Sequence, residues 1–127
     1  MVSEFANVNW TAVIVGTVVA YALGMVWFSP KLFGKGWAAG SHNLQPPETP
    51  PIGAMVIMLL ATFLLALLIG LTETQNMLTT AIVGIFAAAT TVGGMTMFSQ
   101  KTTYATLVDA GYIVAMGVIM VIAQAIF

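Results

Sequence analysis

Four stretches of about twenty residues, each apolar and free of charge, leave this chain few ways to fold. They run over residues 8–28, 52–71, 77–98 and 110–127. A hydrocarbon core about 30 Å thick takes roughly 20 apolar residues to cross as a helix. Within lipid, every backbone N–H and C=O must find a partner inside the protein, so such stretches are helices unless they alternate as barrel strands. No such alternation is seen. The sequence therefore predicts an all-α integral membrane protein: one four-span domain over residues 1–127, folded as a four-helix transmembrane bundle.

Composition excludes the other classes. Sixty per cent of residues are hydrophobic and 6% are charged, against about 25% charged in soluble domains. Three lysines and four acids cannot cover a soluble globule, nor do they form the basic face that nucleic acid requires. With no cysteine, disulfides, thiolate zinc sites and thiol nucleophiles are out of reach. Met1-Val2-Ser3-Glu4 carries an acid where a signal peptide has its basic region. The apolar run that follows exceeds the roughly 7–15 residues of a signal core, so the first span is expected to be retained.

The lysines set the expected orientation. Lys31 and Lys35 follow the first span and Lys101 follows the third, which puts all three on one side of the bundle. The other side carries Glu4 and Glu73 and no base. The positive-inside rule places the lysine side in the cytoplasm and both termini outside. Trp10, Trp27, Trp37 and Tyr104 fall at span ends, where interfacial aromatics anchor a helix. The long first loop, residues 29–51, begins with Pro30, which stops the helix. Leu32, Phe33 and Trp37 interleave with Lys31 and Lys35, a pattern suited to the membrane interface. Pro46, Pro47, Pro50 and Pro51 then favour a stiff extended stretch. The other two loops are short, which forces their helices to lie antiparallel.

The chain also resembles itself. Leu23 to Lys31 aligns without gaps on Gly93 to Lys101, sharing Gly, Met, Phe, Ser and Lys at a constant offset of 70 residues. This repeat predicts a parallel duplication of two helical hairpins about an axis along the membrane normal. Spans one and three would then play equivalent roles. Their small residues agree with that: Gly16, Ala20 and Gly24 recur on span one, and Ala89, Gly93 and Gly94 lie on span three. Such spacing lets helix backbones approach closely. Spans one and three are therefore expected at the middle of the bundle or at an oligomer interface. The leucines of span two (Leu59, Leu60, Leu64, Leu65, Leu67 and Leu68) are expected to face lipid.

Val8-Asn9-Trp10, Leu23 through Pro30, and Leu32-Phe33-Gly34-Lys35-Gly36-Trp37 together resemble domain-of-unknown-function family 1761. That family comprises small four-span bacterial membrane proteins with a Trp-Tyr-Ser-Pro…Phe-Gly-Lys-x-Trp signature. Asp109-Ala110-Gly111-Tyr112 is similar to its Asn-Ala-Gly-Tyr stretch. The departures are Phe28 for Tyr, Asp109 for Asn, and the proline-rich stretch. The resemblance implies the fold and a bacterial inner (cytoplasmic) membrane, and no activity. A weaker likeness is to small fluoride channels, through Gly93 to Ser99, Pro51-Ile52-Gly53 and Ala61-Thr62-Phe63. Met58 stands where those channels have a pore Asn, and their span-one Arg is missing. An anion path needs donors that Met does not supply, and the internal repeat accounts for the same residues.

Ionisable groups inside a span are the usual flags of function, and none lies mid-span. Asp109 comes nearest. It reads either as a proton or cation site with Tyr112 one turn on, or as a carboxylate held by the helix N-terminus and Lys101. Thr90, Thr91 and Thr96 could line a path, but such residues more often bond their own helix or a neighbouring one. His42 is a lone ligand where a metal site needs several. The nine methionines suit Cu(I) less than they suit apolar filling. No catalytic residues, metal site or cofactor are therefore expected. The expected partners are membrane lipid and either further copies of the chain or a larger membrane complex, in an accessory or scaffold role. The alternative is a small channel or transporter with a path along spans one and three.

Overall fold

The computed structural model describes residues 2–127. It contains six helices among those residues: α1 (Val2–Ala6), α2 (Trp10–Trp27), α3 (Gly34–Gly40), α4 (Ile52–Thr74), α5 (Leu78–Phe98) and α6 (Thr103–Ile126). By length and composition, α2, α4, α5 and α6 can each cross a membrane. The chain is an all-helical integral membrane protein with four spans.

Local chemistry sets the helix ends. Asn9 caps α2 by accepting a hydrogen bond from the Ala12 N–H at 3.1 Å, which satisfies a donor the helix leaves free. At the far end of α2 the chain doubles back through Ser29 and Pro30, and the Gly34 N–H closes onto the Ser29 carbonyl at 2.9 Å. Gly34 is required there. A Cβ would collide with the Phe28 carbonyl oxygen and with the Ser29 backbone.

Helices α4 and α5 both end in a Schellman motif. The Asn76 N–H bonds the Glu73 carbonyl at 3.1 Å and the Met77 N–H bonds Thr72 at 2.9 Å. Gln100 and Lys101 repeat the pattern onto Met97 at 3.0 Å and Thr96 at 3.1 Å. Asn76 and Gln100 each take the left-handed conformation that this motif needs, with φ of 53° and 62°.

The fourth span starts at Thr103 rather than near residue 110. Thr102 caps it by accepting from the Ala105 N–H at 3.2 Å. Ala105 and Thr106 are already buried, because α3 packs over this turn. A polar stretch that reads as loop is thus the first turn of a helix. Asp109 consequently lies well within α6 and away from its N-terminal dipole.

The spans run alternately up and down. Tyr21 on α2 reaches Met55 near the start of α4, and Val13 of α2 lies beside Gly70 near the end of α4. Helices α2 and α4, α4 and α5, α5 and α6, and α6 and α2 are packed neighbours. Across the square, α4 also meets α6, and Thr62 Oγ1 lies 3.7 Å from Met116 Sδ at mid-depth. Helices α2 and α5 occupy the far corners.

Helix α6 is therefore the central element, and not spans one and three. It buries Tyr112, Met116, Gly117, Met120 and Ala123 along one side. The two small-residue stripes do not lie against each other, because α6 lies between them. Gly16 and Ala20 are buried and Gly24 half-buried against α6, with Met120 and Ala123 opposite Gly16 and the Tyr112 ring opposite Gly24. From the other side, Ala89 is buried and Gly93 faces Ala110 and Thr106 of α6. Gly94 has nothing within 4 Å of where its Cβ would be, so the repeat's two glycines, Gly24 and Gly94, are not equivalent. Leu59, Leu60, Leu64 and Leu68 face outward as expected, whereas Leu65 and Leu67 pack partly against the core.

Candidate functional site

The polar chemistry of the bundle gathers at its lysine-bearing end, where α3 lies against the start of α6. The elbow at Pro30 sends the chain back so that Trp37 of α3 reaches Asp109. The indole Nε1 donates to Asp109 Oδ1 at 2.8 Å. Lys101, in the turn before α6, bonds the other carboxylate oxygen, Oδ2, at 3.0 Å. Its Nζ also sits 5.3 Å from the Trp37 ring centroid, within reach of the π face. Both charged side chains are mostly covered, 22% exposed for Lys101 and 13% for Asp109. Both Asp109 oxygens accept from donors, and these bonds tie the first loop to the fourth span.

Aromatic rings continue this node inward. Trp27 Nε1 donates to the Val108 carbonyl of α6 at 3.0 Å. Phe28 stands edge-on to both Trp37 and Tyr112, with centroids 5.0 and 5.4 Å away. Trp27 packs on Phe33 at 4.8 Å. Tyr112 crosses to α2 and donates its hydroxyl to the Ala20 carbonyl at 2.8 Å. Gly24 makes room for that phenol. A Cβ there would lie 2.5 Å from the Tyr112 oxygen. On the outer side of the node, His42 Nε2 donates to the Ser99 carbonyl at 2.7 Å, and the Thr102 N–H donates to the Gly40 carbonyl at 3.0 Å.

The expected anchors thus take different roles. Trp10 is exposed at its span end, and Lys31 and Lys35 are exposed on the first loop. Trp27 ends its span, whereas Trp37 lies on α3 and not at a span end as expected, and both indole N–H groups are bonded within the protein. Lys101 is paired with Asp109 rather than free for headgroups.

The threonines separate in the same way. Thr96 is buried and bonds both the Gly93 carbonyl, at 2.9 Å, and Thr106 Oγ1, at 3.0 Å. Thr90 and Thr91 are exposed on the outside of α5 and turn their hydroxyls onto Phe86 and Ala87 of their own helix, each at 2.7 Å. Thr96 thus lies on the opposite side of α5 from Thr90 and Thr91, and α6 stands between α2 and α5.

Sequence reasoning missed the contact between Trp37 and Asp109, and the part played by Phe28. The available signal was the concentration of Trp, Phe and Gly in residues 27–37, too many for a solvated loop.

This is the architecture of a small four-span membrane bundle whose first loop is latched onto its last helix. The family model described as protein of unknown function (DUF1761) matches residues 11–124, and the chain belongs to that family. Trp27, Gly34, Trp37 and Tyr112 of the node match residues of the resemblance's motifs, and Phe28 and Asp109 stand at positions where the chain departs from them. No curated protein and no solved structure matches the chain.

Proposed function

We propose that this protein is a non-catalytic accessory or scaffold subunit, which packs against a second copy of itself or a larger membrane complex through the outward face of α5. What supports this reading is the exterior of that helix. Ala87, Thr90, Thr91 and Gly94 point away from the bundle, and the space beside Gly94 is open. A surface of small residues admits a neighbouring helix more closely than lipid chains need. The polar side chains of the node are meanwhile engaged with one another, which suits a structural role better than turnover. The natural setting for this reading is a bacterial inner membrane, with Lys31, Lys35 and Lys101 in the cytoplasm and both termini outside.

The absence of cysteine makes the test direct. Gly94→Cys and Ala87→Cys should form disulfide-linked adducts on oxidation of native membranes. Leu107→Cys, exposed on α6, should not. If neither α5 variant gives an adduct and the native mass is that of a lone chain, the reading fails. For orientation, Glu4→Cys should react with an impermeant thiol reagent in intact cells and Gln100→Cys should stay protected. The reverse pattern would invert the topology.

A further inference from the structure

The first half of α4 is held to α2 by the Tyr21–Met55 hydrogen bond but is itself little buried. Every residue from Ile52 to Leu60 is exposed, although the second half of the same helix buries Thr62, Ala66, Ile69 and Gly70. Two cavities fill the gap this leaves. The outer one, about 730 Å³, lies under residues 44–47, between α3 and the start of α4, with Lys35 and Trp37 among its walls. The inner one, about 260 Å³, runs between α2 and α4 from Phe28 up to Tyr21 and Met58. Phe28 and Ala54 line both, so the two form one groove. It leads from the level of the lysine loop into the depth of the spans, since Tyr21 is two helical turns, about 10 Å, deeper than Phe28.

We propose that this groove binds one anionic phospholipid. Its phosphate would sit against Lys35, and one acyl chain would pass beneath the proline-rich stretch and over Phe28 into the cleft between α2 and α4. The groove is apolar along its length and has its charge only at the mouth, which matches an amphiphile and not a free anion. Lys35 is exposed and has no ion-pair partner among the described residues. The first loop carries Lys31 and Lys35 against the single acid Glu48, so the mouth favours a negative headgroup. The depth also fits, because the mouth is at the end of the spans, where headgroups lie.

Native mass spectrometry of the detergent-purified protein tests the proposal on the lone-chain peak, independently of any assembly through α5. The probes are phosphatidylglycerol and phosphatidylcholine with identical acyl chains. One phosphatidylglycerol should be retained per chain, preferred by about five-fold, the scale that one lysine near a membrane surface supplies. Lys35→Gln, at an exposed position, should abolish the preference while leaving the fold and some lipid retention intact. Ala54→Trp, which fills the junction of the two cavities, should lose both lipids. Ile82→Trp, a bulky change on the outer face of α5, should keep phosphatidylglycerol. Circular dichroism should show all variants helical. Equal retention of the two lipids by the unaltered protein, no retention at all, a preference that survives Lys35→Gln, or a lipid still held by helical Ala54→Trp would overturn the proposal.

Discussion

The indole of Trp37 and the carboxylate of Asp109, 72 residues apart in the chain, share a hydrogen bond of 2.8 Å. With Lys101 on the other oxygen, this contact fixes the reentry of the first loop onto the final span. In a bundle that gains little from hydrophobic burial between helices, a few such polar contacts carry much of the specificity.

Asp109 should therefore tolerate Asn better than Ala. Asp109→Asn retains an acceptor for the Trp37 N–H but loses the mostly covered ion pair with Lys101 and turns an amide NH2 toward its ammonium, for about 1–2 kcal/mol, between the exposed and the buried case. Asp109→Ala strands a half-buried indole N–H and an ammonium, at about 1–3 kcal/mol. Thermal unfolding in mild detergent should rank Asp109→Ala below Asp109→Asn and both below the parent. Asn is also the residue that the family resemblance places there.

The glycines related by the repeat should respond oppositely. Gly24→Val puts a branched side chain against the Tyr112 phenol and should cost about 1–3 kcal/mol or more through overpacking. Gly94→Val projects into open space and should leave the melting temperature of the isolated chain nearly unchanged, like Leu64→Val on the outer face of α4. If Gly94→Val is as damaging to the isolated chain as Gly24→Val, the packing described for α5 is wrong.

Gln100→Gly should stabilise the protein. Gln100 holds φ 62° in the Schellman turn after α5 and makes no side-chain hydrogen bond among the described residues. The left-handed region costs a residue with a Cβ about 1–2 kcal/mol and glycine nothing, offset in part by glycine's greater freedom when unfolded. A gain of up to about 1 kcal/mol, read as a raised melting temperature, is expected. No gain would mean the turn is held differently.

Of Thr90, Thr91 and Thr96, only Thr96→Val should be costly, by about 0.6–1.7 kcal/mol, the scale of hydrogen bonds between membrane helices. It breaks the buried link to Thr106. Thr90→Val and Thr91→Val remove bonds internal to α5 and should be close to neutral in the isolated chain. Unfolding of the three variants side by side checks this.

The spans could be read from the sequence because lipid imposes a length and forbids charge, and both are visible residue by residue. The centre of the bundle could not. Each span is apolar on every side, so the period that marks the buried face of a soluble helix has no contrast here. Tyr112, Met116 and Met120 do recur at helical spacing, but Leu107, Val118 and Ile122 on the exposed side are equally apolar. The start of α6 is hidden for the opposite reason: Thr102, Thr103, Tyr104 and Thr106 are polar and read as loop, yet α3 packs against this turn. Asp109 was readable as a partner of Lys101. Trp37 was not, because only the turn at Pro30 brings α3 back to α6.

The central position of α6 has a consequence for biogenesis. A chain made from its N-terminus delivers α2, α4 and α5 to the membrane before α6, the helix that all three contact. Until then the stripe from Gly16 to Gly24 has no Tyr112 or Met120 to receive it, and Trp37 has no carboxylate to bond. Assembly of the core is thus deferred to the arrival of the fourth span. During that interval an incomplete bundle presents unpaired helix surfaces to the other proteins inserting around it.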